Sequence, residues 1–515
     1  MGFRIDPTCL ALACAAGLAM GCGTGSSGDG GLPDGSHLND AGQVILPDGG
    51  VLPTDGGVTP KDGGVPARPD AGTVIIIPGG PDWTFYGPAQ GAPGTVLGVS
   101  ADGNGNIWAA GGEDGLFLLE PGATHFRKFT IDDGLHPWGY LIDGSEAAAP
   151  HYLNVLSVSG GPGSSVFVGY HGRPPPAGIP SCEDNYDAFN HKYRDASIYK
   201  SGDADRVTLS GTGPGATLTV VHYDIFSGPN IVKNELSGRE RLCNILRIKY
   251  VPQTNTVWFG GNHGFAAGDP GFPGIFATGC IGEKYGDDIT AKCTGNLEHA
   301  HPLVNGYAED GTYVGLTDAY YGIDTDPSGA LWMGGANRSV HYDFGMGAVK
   351  FWDYEGTEGQ PSAQIDVWPD AVIQDPTAAQ RTDDHVSAIA AVGDGTAWFA
   401  SFNWGLAHYS AAKGKADAFV TTGLSAYNAA TGTADVESLY YDTDGSLWAG
   451  GGYGGINRLK GPSNGFYAFY GAELFGAQLV NHSVTQIQAY SPPSPAQRKV
   501  LVAFAAGAVG VYSGP

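Results

Sequence analysis

Histidines, carboxylates and aromatics recur at two kinds of place along this chain. Just after a series of apolar segments stand Glu113-Asp114, Tyr170-His171, Asn262-His263, Asn337-Arg338, Asn403-Trp404 and Tyr453. Just ahead of other apolar segments stand His151, Glu298-His299-Ala300-His301, Asp384-His385 and Asn481-His482. Brought together, neutral imidazoles and carboxylates within about 2.0–2.2 Å of one ion would hold a divalent metal such as calcium, magnesium or zinc. His171, His263, His301, His385 and His482 are the candidate ligands. A metal beside a His or Glu base supports elimination or hydrolysis, so a metal-dependent lyase or hydrolase is one reading.

A binding reading asks less of the geometry. Trp404, Tyr453, Tyr170 and Trp138, expected at the surface beside Asn, Asp and Arg, suit a sugar. Its rings would stack on the aromatics while polar groups fix its hydroxyls. The whole first series, from Glu113 to Tyr453, is therefore the set of candidate ligand contacts. Arg338 stands where equivalent turns carry glycine, which singles it out. The bland alternatives are that histidines before a strand are turn residues and that some aromatics pack in the core. No Gly-x-Ser-x-Gly, Walker or His-Glu-x-x-His motif is present, and no catalytic residue is assigned.

The N-terminus reads as an address. Arg4 precedes an apolar stretch, Leu10 to Met20, followed by Gly21 and Cys22. A short apolar segment with small residues before a cleavage point is a secretory signal, expected over residues 1–21. Cys22 in this setting resembles the lipidated cysteine of a bacterial lipoprotein, which would anchor the chain to a membrane rather than span it. An ordinary cleaved signal is the alternative, and Cys14 is a weaker rival site. Residues 22–74 then carry a ragged repeat: Leu46-Pro-Asp-Gly-Gly50, Leu52-Pro-Thr-Asp-Gly-Gly57, Thr59-Pro-Lys-Asp-Gly-Gly64 and Arg68-Pro-Asp-Ala-Gly72. Such composition buries too little apolar surface to offset the entropy of ordering, so a disordered tether is expected.

Composition bounds the remainder. The chain has 515 residues, 84 of them glycine, with 11% aromatics and a net charge of −26. Glycine without a Gly-X-Y period excludes collagen, and the aromatics exclude wholesale disorder. Nucleic-acid binding is excluded by the acidic balance and the lack of a basic cluster. With Cys22 and the leader set aside, Cys182, Cys243, Cys280 and Cys293 remain. An even number in an exported chain points to two disulfides, with three possible pairings. Cys182 with Cys243 and Cys280 with Cys293 are favoured, because the second pair shares one insertion.

The elements that must position these groups form a repeat over 75–515. The clearest copies are Val96-Leu-Gly-Val-Ser-Ala-Asp-Gly-Asn-Gly-Asn-Ile-Trp108, Tyr321-Gly-Ile-Asp-Thr-Asp-Pro-Ser-Gly-Ala-Leu-Trp332, Val386 to Trp398 and Val436-Glu-Ser-Leu-Tyr-Tyr-Asp-Thr-Asp-Gly-Ser-Leu-Trp448. Weaker copies centre on Phe167 and Trp258, and a seventh runs from Val484 to Val500-Leu-Val-Ala. Period-2 alternation marks strands, and Asp-Gly between them supplies the positive φ of a tight hairpin. The tryptophan is a buried wedge against the neighbouring unit. Most copies lie further apart than a bare four-stranded unit of about 40–50 residues, so insertions are expected at 132–151, 170–196, within 262–301 and at 355–384.

The Asp-x-Asp-Gly-x-Leu-Trp-x-Gly-Gly signature resembles the two-component-regulator propeller repeat and, more distantly, the blades of streptogramin lyase. The resemblance implies an all-β, seven-bladed β-propeller of four-stranded antiparallel blades. Trp83 to Gly87 would supply the N-terminal strand that closes the last blade. It also implies that the long insertions share the ligand-binding face, opposite the Asp-Gly hairpins. The expected protein is an exported, lipid-anchored monomer at the cell envelope that binds a small ligand, a glycan or a protein. A metal-dependent enzyme using that face and a structural lipoprotein are the alternatives.

Overall fold

The computed structural model describes residues 80–138, 151–173, 204–223, 244–261, 270–271, 319–327, 329–335, 386–410, 412–413, 416–460, 468–490 and 498–515, with the backbone alone of some further strands. The chain divides into two compact units, Met1–Val58 and Thr59–Pro515. In the first, the described residues are a two-residue ladder of His37–Leu38 with Val44–Ile45. The expected boundaries of leader and tether lie outside the described residues, as do all the cysteines.

The second unit is all-β apart from a few helical turns, and its described residues contain seven four-stranded antiparallel sheets. Sheet I comprises Gly98–Ala101, Ile107–Ala110, Leu116–Leu119 and Arg127–Phe129. Sheet II comprises Val155–Gly160, Ser165–Tyr170, Ala204–Ser210 and Thr217–Tyr223. Sheet III follows with Ile245–Val251, Thr256–Gly261, Gly264–Gly268 and Glu298–His299, and sheet IV with Tyr320–Thr325, Leu331–Gly335, Arg338–Asp343 and Ala348–Asp353. Sheet V is Val386–Ala391, Thr396–Ser401, Gly405–Ser410 and Lys415–Val420, and sheet VI is Val436–Tyr441, Ser446–Gly451, Ile456–Lys460 and Phe466–Tyr470. Sheet VII takes three consecutive strands, Val484–Tyr490, Lys499–Phe504 and Ala508–Tyr512, and borrows Trp83–Tyr86 as its fourth.

In sheets I, III, IV, V and VI the tryptophan of the repeat lies on the second strand, Phe167 takes that position in sheet II, and burial of this wedge explains the repeat. Trp108, Trp332 and Trp448 are fully buried, and each belongs to a cluster shared by two adjacent sheets. The core is therefore a series of layers between sheets rather than one central mass. The signature aspartate has a second role, as a clamp on the hairpin. Asp102 accepts hydrogen bonds from the Asn104 and Asn106 amides, both 3.0 Å, and from Trp108 Nε1 at 2.8 Å. Asp442 likewise accepts from Trp448 Nε1 at 3.0 Å. The motif thus ties the turn to the wedge it presents. Gly105 and Gly445, at φ +82° and +81°, occupy the left-handed conformation that these turns require.

First strands pack on first strands. That of sheet I touches that of sheet II, the succession continues to sheet VII, and the first strand of VII touches that of I again. Side chains stitch most of these junctions. Ser100 Oγ accepts the Gly160 amide at 2.6 Å, Ser157 Oγ donates to Ile245 O at 2.7 Å, and Ser438 Oγ donates to Val484 O at 2.6 Å. Ser387 Oγ donates to Val436 O, and Asp324 accepts the Ala391 amide at 2.9 Å. The circuit returns through Thr485 Oγ1, which donates to Val96 O at 2.9 Å, and Gln486, which accepts the Val99 amide at 2.9 Å. At the III–IV junction an ion pair joins Lys249 Nζ to Asp324 at 2.6 Å. The approach at Gly160 is close: a Cβ there would lie 1.8 Å from Ala101 O.

Two short helices, Ala472–Phe475 and Ala477–Val480, link sheets VI and VII. The all-β reading did not foresee them. They bury Phe475, Leu479 and Val480 against Trp83, so the borrowed strand is held from both sides.

Candidate functional site

The first strands carry an unusual load for segments packed between neighbouring sheets. Arg247, Lys249, Asp324 and Glu437 all lie on them. Bulges explain part of this. The register slips once in the first strand of every sheet from II to VII, between Val436 and Ser438 for example. The extra residue, Glu437 in sheet VI, is thereby released from the alternation of the strand.

These side chains line a cavity of about 820 Å³ to which all seven first strands contribute. Its wall also includes hairpin residues Asp102, Pro162, Pro252, Asp326 and Asp442. It therefore lies toward the Asp-Gly hairpin end of the strands, not among the insertion-bearing turns where the resemblance places the ligand. The wall is rich in hydrogen-bonding groups. Tyr250, Tyr441, the Lys249–Asp324 pair and Gln488 all contribute. Gln488 Oε1 is sealed from solvent and has no hydrogen-bond partner.

Arg247 marks the other end of the cavity. Its Nη2 donates to Thr485 O at 3.1 Å and its Nη1 to Leu246 O at 3.3 Å, so the side chain spans from sheet III to sheet VII. Burial holds its pKa below the usual guanidinium value, opposed by the Glu437 charge. Glu437 accepts from Ser483 Oγ at 2.8 Å. Burial raises its pKa, and burial together with Glu437 raises that of neighbouring Asp435 well above the usual carboxylate range. Asp435 and Ser483 are not among the residues lining the cavity.

A second buried polar cluster lies in sheet II. The Tyr170 hydroxyl donates to Asp205 Oδ2, the His136 amide donates to the same oxygen at 2.8 Å, and His222 Nδ1 lies 2.7 Å from Asp205 Oδ1. Burial pushes the Asp205 carboxyl up to about 7, against the lowering pull of His136 and the Tyr170 hydroxyl. Trp138 stacks on His151 at a ring-centroid distance of 3.5 Å and meets His136, tilted by 35°, at 3.9 Å.

The residues singled out from sequence divide accordingly. Tyr170 is fully buried and Trp138 nearly so, which corrects their expected exposure: both are packing residues of the Asp205 cluster. Trp404 is half-buried against the core of sheets IV and V, with its Nε1 sealed and unpartnered. Tyr453 is 37% exposed and lies beside Asp435, whose charge helps raise its pKa. Glu113 is exposed and accepts from Tyr152 Oη at 3.0 Å, while Asp114 pairs with Lys128 at 3.8 Å. His171 Nδ1 lies 2.6 Å from Gly172 O, and the Asn403 carbonyl accepts the Ala434 amide at 2.7 Å. His482 is exposed. Arg338 begins the third strand of sheet IV, a position fixed by backbone alone. Asn262, His263, Asn337, His301 and His385 lie outside the described residues. Among the described residues, no group of three or more His, Cys, Asp or Glu side chains is placed to hold a metal.

Sequence reasoning passed over Arg247, Glu437, Asp435, Gln488 and Asp205. A signal was present: charges inside short apolar runs, as in Ile245-Leu-Arg-Ile248 and Val436-Glu-Ser-Leu439. Neither run fits a strand buried on both faces unless its charges face a shared interior.

No protein-family model matches the chain, and no curated relative matches it. Solved structures similar to it include the WD40 beta propeller domain of Doa1, at 10% identity over 84% of this chain and 98% of that one, with a TM-score of 0.43. YCF48 bound to D1 peptide is 13% identical over 85% and 100%, with a TM-score of 0.44. Sqt1 of Saccharomyces cerevisiae is 10% identical over 84% and 98%, with a TM-score of 0.42.

Proposed function

We propose that residues 75–515 form a seven-bladed β-propeller that works as a binding module, taking its ligand in the central cavity. The cavity carries this reading: one space of about 820 Å³, walled by the first strands of seven sheets and lined by Lys249, Tyr250, Asp324 and Tyr441. Mixed aromatic, amide and ionic walls of this kind suit a small polar ligand, a glycan or a peptide segment. The test is a glycan and peptide binding screen with wild type, Gln488→Ala and Lys249→Met. Affinity reduced roughly tenfold or more in either cavity variant, with Trp404→Ala unchanged, supports the reading. Binding that survives both cavity variants and disappears in Trp404→Ala would move the site to the insertion-bearing turns.

We further infer that the chain is exported and lipid-anchored through Cys22 at the cell envelope, outer membrane or cell surface, and that the body is monomeric. What supports the anchor is the apolar leader ending at Gly21-Cys22 and the Asp-Gly-Gly segment behind it. Metabolic labelling with a fatty acid checks it. Label retained in Cys22→Ala, with unchanged membrane fractionation, would refute it.

A further inference from the structure

The carboxylates of the cavity wall already hold donors from within the wall. Asp442 accepts from the Thr443 amide at 2.7 Å, from Trp448 Nε1 at 3.0 Å and from Arg498 Nη1. Asp102 clamps its own hairpin, and Asp326 accepts the Ala330 amide at 3.0 Å. Lys249 Nζ lies 2.6 Å from Asp324 Oδ1, and Asp324 Oδ2 accepts the Ala391 amide at 2.9 Å. A charged ligand would have to displace one of these partners or enter without a counter-charge, and either is costly.

The main chain of the wall is engaged as well. A peptide that binds by adding a strand needs free amides and carbonyls along a sheet edge. Here the Val99, Gly160 and Tyr250 amides bond to Gln486 Oε1, Ser100 Oγ and Ser159 Oγ of the neighbouring sheet. The Ile245 and Val484 carbonyls accept from Ser157 Oγ and Ser438 Oγ in the same way. The Lys249–Asp324 pair, by contrast, is open to the space, with 30% and 19% of its two side chains exposed. An ammonium has three N–H donors and a carboxylate about four acceptor sites, so each group can take a further partner while the pair stays intact. Tyr250 follows Lys249 along the cavity wall. Tyr440 lies near as well: burial and the Asp442 charge raise its pKa, and the Asp324 charge adds to them.

We propose that the cavity takes an uncharged carbohydrate, with two hydroxyls on adjacent carbons seated on the Lys249–Asp324 pair and a ring face against the tyrosines. A hydroxyl both donates and accepts. One of the two accepts from the ammonium while its neighbour donates to the carboxylate, and the ion pair is kept. Hydrogen bonds to charged partners are the strong kind, and the C–H face of a sugar ring suits an aromatic side chain. This inference rests on the reading of the central cavity as the binding site and names the class of its ligand.

The test presents the full chain with neutral oligosaccharides, their uronic-acid and amino-sugar counterparts and uncharged peptides, with calorimetry on the tightest binder. A neutral oligosaccharide is expected to bind saturably and with little dependence on ionic strength. Its forms lacking either of two adjacent hydroxyls should bind roughly tenfold more weakly, as should the intact sugar to Asp324→Asn and to Lys249→Met. Asp324 also joins sheets, so Lys249→Met, at the more exposed partner, carries the test if Asp324→Asn does not fold. Oligosaccharide binding kept in both cavity variants and lost in Trp404→Ala would overturn the cavity reading itself. A peptide, uronic acid or amino sugar that outbinds every neutral oligosaccharide and is lost in Lys249→Met would overturn the ligand class and leave the cavity as the site. Equal binding of the deoxy forms would overturn the seat on the ion pair. No binding by a folded wild-type protein would overturn the proposal altogether.

Discussion

Asp102 shows at the scale of one residue why the repeated signature is structural. Its carboxylate is buried and accepts from two backbone amides, the Asn106 side chain at 2.9 Å and the Trp108 indole. Burial raises its pKa while those donors lower it. Removing the acceptor leaves several buried donors unpaired, each costing about 1–3 kcal/mol. Asp102→Ala should therefore lower the unfolding free energy by about 3 kcal/mol or more, read by urea titration, and Asp102→Asn by less. Asp205 makes a prediction of the opposite chemical kind. Its folded pKa, about 7, lies above the usual carboxylate value of 3.8. A carboxyl raised on folding contributes stability that is complete below the unfolded pKa and is lost as pH rises through the folded one. The wild type should thus lose stability between pH 4 and pH 7 relative to Asp205→Asn, with the difference levelling off above about 7. The groups facing this carboxyl are Tyr170, His136 and His222. A difference curve flat across that range would mean that they keep Asp205 ionised throughout.

At the scale of elements, the borrowed strand holds sheet VII. Trp83–Tyr86 pairs with Ala508–Tyr512, and Trp83 meets Phe475 and Tyr512 at ring-centroid distances of 5.1 Å each. Trp83→Ala removes that contact and leaves a cavity against sheet VI, at a cost of about 3–5 kcal/mol by analogy with other buried tryptophans. Thermal unfolding followed by tryptophan fluorescence and far-UV dichroism measures it, and a loss below about 1 kcal/mol would show that the strand is dispensable. This strand was legible in the sequence, because Trp83-Thr-Phe-Tyr alternates ahead of the first full repeat and has no partner of its own. So were the second strands of sheets I, V and VI, each marked by a tryptophan after an Asp-Gly turn. The central site was not legible. A charge such as Glu437 faces the interior because its strand bulges there, and a bulge leaves no period in the sequence. Tyr170 misled for the reverse reason: adjacency to a polar turn looked like exposure, whereas its partner, Asp205, comes from a strand beyond a long insertion.

The scale of the whole molecule brings the net charge of −26 and the sequence pI near 4.7 into play. Packing the sheets against one another concentrates negative charge on the surface that remains, and self-repulsion then opposes the compact state. Salt screens that repulsion: the Debye length falls from about 30 Å at 0.01 M to about 8 Å at 0.15 M. At pH 8 the melting temperature should therefore rise by a few degrees over that range, since a domain of this size moves by about 2 °C per kcal/mol or less. Near pH 4.7 the net charge vanishes and the increment should disappear. The experiment also separates surface from interior. Pairs such as Lys249–Asp324 lie in the cavity wall and answer only weakly to salt, whereas surface repulsion answers strongly. If salt instead lowers the melting temperature at pH 8, attractive pairs exposed at the surface outweigh the like-charge repulsion there.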